Sequence, residues 1–253
     1  MLELVEHDLG DHDHIYLVPL SDFHVGDKRF DGDKLQGYID WIRERPNAYS
    51  FLNGDLMDAI TVSSVGNIYD ADMTPNDQLK YVKRALEPIG DRVLGVVEGN
   101  HERRISTKTG IDVSEMIAEH LGAPYSREMM ALKLRFGQGR NGKPMVYTLL
   151  YTHGTGGGRT QGGKSNALAR MGLIGLFDVY SIAHIHHMST FQQVFMVPDL
   201  QNGQIMERKL TFVSSGSYVR YGGYAAEKMY SPVKLGSPRV RMSGRSRDVH
   251  VSI

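Results

Sequence analysis

Apolar positions in the first half of the chain follow two different periods. Short β-branched or aromatic runs predict strands, and apolar residues recurring every three to four positions predict helices. The ranges are 15–20, 49–52 and 92–97 for the strands and 33–45, 74–88 and 112–121 for the helices. Pro46 ends the first helix, Thr74 caps the second and Gly122 ends the third. This half therefore consists of strand–helix units.

The strand–helix alternation stops after Gly122. The predicted elements that follow are strands over 131–136, 144–151, 179–183, 190–197 and 205–213 and a helix over 165–177. Asn141-Gly142 and Asn202-Gly203 are turn sequences between consecutive strands. Strand–helix units followed by hairpins predict an α/β fold of two packed sheets with helices outside. We expect one domain over 1–253, in which 214–253 form a basic, Tyr- and Gly-rich C-terminal segment.

Composition excludes several classes of site. The 253 residues are 41% hydrophobic and include no cysteine, which excludes disulfides, thiolate zinc sites and cysteine nucleophiles. A metal ion must therefore be held by His, Asp, Glu, Asn or backbone oxygen. The net charge is zero and no run approaches the roughly 20 apolar residues of a membrane span. The N-terminus is acidic and unlike a signal peptide, so we expect a cytoplasmic protein without membrane association.

Polar motifs with metal-binding atoms follow five of the apolar runs. They are Asp22-x-His24, Gly54-Asp55-x-x-Asp58, Gly99-Asn100-His101-Glu102, His153-Gly154 and His184-x-His186. Taken singly, each is more often a surface pair or a solvated loop residue. Five in succession, each at a strand end, indicate a common site.

The spacing suggests how these side chains could share ions. In an extended backbone alternate residues lie on the same side, so Asp22 and His24 could chelate one ion. His184 and His186 have the same spacing and the same reach. The Asp55 carboxylate has two oxygens and could bridge two ions.

This series of motifs resembles the calcineurin-like metallophosphoesterase superfamily over about residues 20–187. The resemblance implies a two-sheet β-sandwich flanked by helices (αββα) with a binuclear metal centre at the strand ends. It implies that the first metal is held by Asp22, His24, Asp55 and His186, and the second by Asp55, Asn100, His153 and His184. The resemblance also implies that His101 is the catalytic imidazole. Residues expected to orient ligands or bind substrate are Asp58, Glu102, Arg103, Arg159 and Lys164.

Three positions depart from the family pattern. Ala183 stands where Gly usually opens the last motif, and Glu102 stands where Asp is commoner. His187 is an additional imidazole, which we interpret as a surface residue.

The ligand set is suited to phosphoester chemistry. Two divalent ions bring +4 and Asp22 with Asp55 brings −2, so a net +2 attracts a phosphate group. Such an ion pair can clamp phosphoryl oxygens and activate a bridging hydroxide. The mixed O and N ligands favour Mn²⁺, with Fe, Zn²⁺, Co²⁺ and Ni²⁺ as alternatives. We expect a phosphodiesterase acting on a nucleotide or nucleic acid; the alternative is a phosphomonoesterase of a small metabolite.

Two rival functions remain open. Residues 158–165 match the P-loop pattern between a strand and a helix, which would suit a nucleoside triphosphatase. In a milder interpretation the protein is still a phosphoesterase, and backbone amides of 156–163 approach the substrate phosphate beside the metals, with Arg159 or Lys164 adding charge. A second rival is a binding module whose metals are structural. In the tail, tyrosines interleave with basic residues over 218–247, a pattern that can stack bases or simply cover the sheet.

Overall fold

The computed structural model describes residues 2–61, 64, 71–139, 142–156, 158 and 160–253. Within them, strands assemble into two six-stranded sheets, called sheet I and sheet II below. No helix among these residues is both long and apolar enough to cross a bilayer.

Sheet I contains the first strand and most of the second half of the chain. Its strands are β1 (Leu4–Asp8), β6 (Met129–Phe136), β7 (Met145–Thr152), β8 (Val179–Ile182), β9 (Ser189–Asp199) and β10 (Gln204–Ser214). Their order is β1-β6-β7-β8-β10-β9. β6 with β7 and β9 with β10 are antiparallel, whereas β8 runs parallel to both β7 and β10. The carboxyl ends of β7, β8 and β10 therefore meet at one edge of the sheet.

Sheet II combines early strands with the end of the chain. Its strands are β2 (His14–Leu20), β3 (Ala48–Leu52), β4 (Val93–Val97), β5 (Tyr125–Ser126), β11 (Arg239–Ser243) and β12 (Val249–Ser252). Their order is β12-β11-β2-β3-β4-β5, with β2 to β5 parallel. β11 pairs antiparallel with β2 and β12.

Three layers of apolar side chains hold the helices and sheets together. The helices are α1 (Gly32–Arg43), α2 (Pro75–Leu86), α3 (Asn100–Thr109), α4 (Val113–Leu121), α5 (Gln161–Ala169) and α6 (Tyr224–Glu227). Alternation along β2 turns Ile15 and Leu17 toward sheet I and Val18 toward α1. α1, α2 and α4 cover the outer face of sheet II, and α5 covers sheet I. The expected fold class, an αββα arrangement, is confirmed.

Most predicted elements are present with shifts of a few residues. Thr74 accepts a hydrogen bond from Asp77 N at the start of α2, and Gly122 adopts φ 65° after α4, as predicted. The helix predicted over 165–177 is wrong in its bounds. α5 begins at Gln161 because Thr160 caps it, and a 3₁₀ turn over Arg170–Leu173 follows. In the predicted Asn141-Gly142 turn, Asn141 lies outside the described residues.

Candidate metal centre

The predicted metal ligands meet where strand ends of both sheets converge. Sheet II contributes the ends of β2, β3 and β4, and sheet I contributes the ends of β7 and β8. Side chains brought within a few ångströms of one another are Asp22, His24, Asp55, Asn100, His153, His184 and His186. Three groups of His and Asp atoms among the described residues could each hold a metal ion.

The backbone at these residues is left-handed and not extended. Asp22, His24 and Asp55 have φ of 52°, 51° and 53°, and His184 and His186 have φ of 66° and 49°. Asp22 and His24 do lie together, as expected. The expected reason, alternation along an extended backbone, is wrong. Positive φ is uncommon outside glycine and is found at sites where surrounding structure enforces it.

Main-chain hydrogen bonds between loops enforce this conformation. Asp22 N donates to Gly54 O at 3.0 Å, and His24 N donates to Asp55 O at 3.1 Å. On the other side, Tyr218 N donates to Asp22 O at 3.1 Å. The loop after β2 is thus held between the loop after β3 and the segment after β10.

The first group consists of Asp22, His24 and His186. His186 Nε2 lies 3.1 Å from Asp22 Oδ1 and 3.0 Å from His24 Nε2. Asp22 is fully buried, and its Oδ1 has no hydrogen-bond partner among the described residues. A buried carboxylate oxygen is costly without a partner, so this arrangement fits a cation at that oxygen.

The second group consists of Asp55, His153 and His184, with Asn100 beside it. His153 Nε2 lies 3.2 Å from Asp55 Oδ2 and 2.9 Å from Asn100 Oδ1, and His184 Nδ1 lies 3.3 Å from the same nitrogen. His153 Nδ1 donates to Asn53 O at 2.7 Å, which leaves Nε2 as the nitrogen that can bind a metal. His184 and His186 therefore belong to different groups in spite of their shared motif.

Asp55 lies between the two groups. Its Oδ2 is 3.2 Å from His153 Nε2 and 3.9 Å from His24 Nε2, so this oxygen faces one imidazole of each group. Its Oδ1 accepts a hydrogen bond from His101 N at 2.9 Å. Asp55 is therefore within reach of both groups.

Burial and mutual charge shift the pKa values of these groups in the metal-free protein. Burial, together with the neighbouring imidazoles of His101 and His186, lowers the pKa of His24 well below its usual range. Burial lowers the pKa of His153, but the Asp55 carboxylate outweighs this and raises it to about 9. Burial would raise the pKa of Asp55, yet His153 and His101 hold it well below its usual range. A proton and a metal ion therefore compete for His153.

His101 lies at the edge of the centre. Its Nδ1 is 2.7 Å from Asp58 O, and since a carbonyl oxygen only accepts, Nδ1 carries the hydrogen. Its Nε2 is 3.9 Å from Asp55 Oδ2, and its side chain is 17% exposed. Asp58 thus fixes the ring so that Nε2 is turned toward Asp55. The sequence pattern did not reveal the third group, His24, Asp58 and His101.

Glu102 lies beneath the site and is fully buried. Its Oε2 accepts from Asp55 N at 3.0 Å and its Oε1 accepts from Met57 N at 2.7 Å. A Cβ on Gly99 would collide with Asp55 N and with Glu102 Oε2, so only glycine allows this close approach. Burial, reinforced by the Asp55 charge, raises the pKa of Glu102 to about 7.

We expect Glu102→Gln to lower the free energy of unfolding by about 1–3 kcal/mol. The amide NH₂ cannot accept a hydrogen bond, so the buried N–H of either Asp55 or Met57 loses its partner. Because Asp55 is then held less firmly, metal affinity should fall about 10–100-fold. Chemical denaturation of the metal-free protein and calorimetric Mn²⁺ titration measure the two effects. Glu119→Gln, at an exposed glutamate of α4, is the matched control; equal results for both variants would contradict the role of Glu102.

The remaining predicted residues lie farther from the ligands or outside the described chain. Arg103 Nε pairs with Glu98 Oε2 at 2.8 Å, and its Nη2 donates to Arg127 O. Lys164 is half-buried on α5, with Nζ 5.9 Å from the Tyr230 ring centroid. Arg159 lies outside the described residues.

Sequence reasoning missed two hydroxyls beside Asp22. Ser21 Oγ donates to Asp22 Oδ2 at 2.7 Å and lies 2.7 Å from Ser215 Oγ. The signal available was the adjacency of Ser21 to Asp22 and the small polar run that begins at Ser214.

Comparisons with known proteins give distant likenesses. No protein-family model and no curated protein sequence matches the chain. Among solved structures, Chaetomium thermophilum Vps29 is 13% identical, covers 94% of each chain and has a TM-score of 0.42. The Pseudomonas putida nuclease MPE is 10% identical over 93% of this chain and 87% of its own, with a TM-score of 0.39. A Sphaerobacter thermophilus metallophosphoesterase is 11% identical over 94% and 89%, with a TM-score of 0.37.

Likenesses this weak do not by themselves establish a common activity. The resemblance rests on the architecture and on the residues at the strand ends. Two six-stranded sheets lie between helices, and the five motifs follow one another in order at the strand ends that converge on a single site. Asp55 Oδ2 faces one imidazole of each of two His and Asp groups. The fold is the one that the resemblance to the calcineurin-like metallophosphoesterase superfamily implied.

Proposed function

We propose that this protein is a metal-dependent phosphodiesterase whose substrate is a nucleotide or nucleic acid. The observation that carries the proposal is the position of Asp55 Oδ2 between His24 of one group and His153 of the other. In the proposed centre the first ion is held by Asp22, His24, Asp55 and His186, and the second by Asp55, Asn100, His153 and His184. When bound, two divalent ions supply charge for the phosphoryl oxygens and lower the pKa of a water molecule.

We favour Mn²⁺ for both positions. Carboxylate, amide and imidazole donors suit Mn²⁺, and Fe, Zn²⁺, Co²⁺ and Ni²⁺ are the alternatives. The described chain offers no thiolate, because the sequence contains no cysteine. The metal content of protein purified from cells grown with each ion would distinguish among them.

His101 is proposed to hold the proton that the leaving oxygen requires. Asp58 O fixes Nδ1, so Nε2 is the nitrogen that faces the centre. Its main-chain N–H is bonded to Asp55 Oδ1, which ties the position of the ring to the shared carboxylate. Positioned proton transfer of this kind typically contributes about 10²–10⁴-fold to the rate.

The exposure of the centre leaves room for a substrate larger than a small metabolite. The side chain of His186 is 38% exposed and that of His101 is 17% exposed, whereas Asp22 and Asp55 are buried. The imidazole side of the centre therefore meets solvent, where a chain of nucleotides can approach. A phosphomonoesterase is the second candidate, since the same ligands would bind a terminal phosphate.

The P-loop alternative is disfavoured by the hydrogen bonds at the start of α5. Gly163 N donates to Thr160 Oγ1 and Lys164 N donates to Thr160 O, both at 3.2 Å. In a P-loop such amides cradle phosphate oxygens, but here an ordinary helix cap engages them.

A substrate panel in Mn²⁺ tests the proposal. We expect bis-p-nitrophenyl phosphate and oligonucleotides to be hydrolysed faster than p-nitrophenyl phosphate, because the proposed substrate is a diester. ATP is included as the substrate of the P-loop alternative, and cyclic nucleotides define the diester class. Exclusive release of phosphate from monoesters would favour the second candidate. Tight ATP binding without diester hydrolysis would favour the nucleoside triphosphatase. If no substrate of the panel is hydrolysed, a binding module with structural metals is favoured.

A further inference from the structure

The hairpin formed by β9 and β10 extends beyond the core of sheet I. Its register is continuous from the pair Ser189–Ser214 to the pair Asp199–Gln204. Near its base, Phe191 stacks on buried Phe212 with ring centroids 4.7 Å apart. Toward the turn, both strands become mostly exposed. A two-stranded ribbon of this kind is only marginally stable in water without something packed against it.

The exposed part of β9 presents apolar side chains on both faces, and apart from Asp199 beside the turn the charged residues of the hairpin lie on β10. Exposed large side chains are Val194 (56%), Phe195 (37%), Met196 (66%), Leu200 (92%), Ile205 (70%) and Met206 (52%). Strand alternation places Val194 and Met196 on one face of β9 and Phe195 on the other. Exposed apolar surface of this extent marks a site of contact with another molecule.

β9 differs from the other three sheet edges. β5 has two residues, β12 has four, and β1 has five, of which Glu6 and Asp8 are charged. β9 has eleven residues and no charged side chain over 189–198. Among the described residues no strand pairs with its outer edge. Shortness, charge and proline are the usual protection of sheet edges against pairing. Over 189–197 β9 has none of these, and its proline, Pro198, lies next to the turn.

We propose that the outer edge of β9 pairs antiparallel with β9 of a second copy of this chain, forming a twofold-symmetric dimer. A twofold axis perpendicular to the sheet reverses the strand and keeps each face on its own side. With pairing centred on Phe195, this ring meets its own counterpart, and Val194 lies opposite Met196 of the second copy. Apolar side chains are then matched on both faces.

The distribution of charge favours a second copy over a foreign segment. A charged strand that pairs with its own copy brings like charges together near the axis, which is unfavourable. β9 avoids this, because the charges of the hairpin, Glu207, Arg208 and Lys209, lie on β10, one strand away from the proposed axis. A foreign acidic or basic segment finds no complementary charge on β9.

The proposed interface lies away from the metal centre. Ser189 and Ser214, at the base of the hairpin, are near the centre, since the Ser214 hydroxyl donates to His187 O. The turn at 200–203 is at the opposite end of strands that are eleven residues long. Both sites of the dimer therefore remain open to substrate.

Light scattering during size-exclusion chromatography tests the dimer. We expect the parent protein to have the mass of two chains and Met196→Lys to have the mass of one. In the monomer the new lysine lies opposite Glu207, so the hairpin itself is preserved. Met206→Lys is the matched control, because Met206 is an exposed methionine on the inner strand; this variant should remain dimeric. A monomeric parent, or a dimer that Met196→Lys leaves intact, would overturn the proposal.

Cross-linking gives a second, independent measurement. The sequence contains no cysteine, so single-cysteine variants report one position each. Phe195→Cys is expected to form a covalent dimer on mild oxidation, and Leu173→Cys, at a side chain that is 85% exposed, is expected to stay monomeric under denaturing conditions. Equal cross-linking of the two variants would count against pairing at β9, even if Met196→Lys failed to fold.

Discussion

Asp55→Ala should abolish turnover and remove metal from the protein. The substitution deletes the carboxylate that faces both His24 and His153, so the proposed oxygen ligand of both ions is lost. We expect the metal content of Mn²⁺-loaded protein to fall from about two ions per chain to below one. Loss of several kcal/mol of charge stabilisation corresponds to a fall in turnover of about a thousandfold or more. Elemental analysis after gel filtration and steady-state kinetics measure the two effects.

Asp91→Ala is the matched control for this substitution. Asp91 has a 77% exposed side chain that pairs only with the neighbouring Arg92 among the described residues. This variant should retain parental metal content and turnover. A parent that binds a single ion, or an Asp55→Ala variant that keeps both, would refute the shared role of Asp55.

His101→Asn should retain its metal ions and lose most of its activity on substrates with poor leaving groups. The imidazole is held by Asp58 and is not one of the seven proposed ligands, so metal content and stability should stay near the parental values. Turnover of a nucleotide diester should fall about 10²–10⁴-fold, because its alkoxide leaves only with a proton. Turnover of bis-p-nitrophenyl phosphate should fall much less, because p-nitrophenolate needs no proton to leave.

The two outcomes that would contradict this role are distinct. Loss of an ion from His101→Asn would make His101 a ligand, as its place in the third His and Asp group allows. An equal decrease in turnover of both substrates would show that His101 does not transfer a proton to the leaving group. His120→Asn, at an exposed histidine of α4, controls for the loss of an imidazole elsewhere.

Local sequence patterns predicted the elements whose own side chains are buried. β2, β3 and β4 are short apolar runs, and α1 and α2 carry apolar residues at helical spacing, so each was evident alone. β1 and β11 were missed because they are short and partly charged and pair with strands far away in sequence. α3 was missed because its sequence, NHERRISTKT, has a single large apolar residue, Ile105. The buried residue of α3 is Glu102, which accepts a hydrogen bond from Asp55 N under the site, so the helix has no hydrophobic stripe to reveal it.

The candidate site was predictable in its composition and not in its local geometry. The strand ends indicated which side chains lie close together, because parallel strands deliver their carboxyl ends to one edge. The left-handed backbone at Asp22, His24 and Asp55 could not be predicted, since it depends on hydrogen bonds between separate loops. His184 and His186 lie in different groups; the resemblance implied different ions for them, whereas their spacing alone gave no such division.

The hydrogen bond from Tyr218 N to Asp22 O has a consequence for biosynthesis. All proposed ligands have been translated once His186 is made, but the loop that carries Asp22 is held in place by a residue thirty-two positions later. β2 also gains its neighbour β11 only when residues 239–243 appear. We therefore expect a chain truncated before residue 218 to hold the Asp22 loop less firmly and to bind Mn²⁺ more weakly than the full chain.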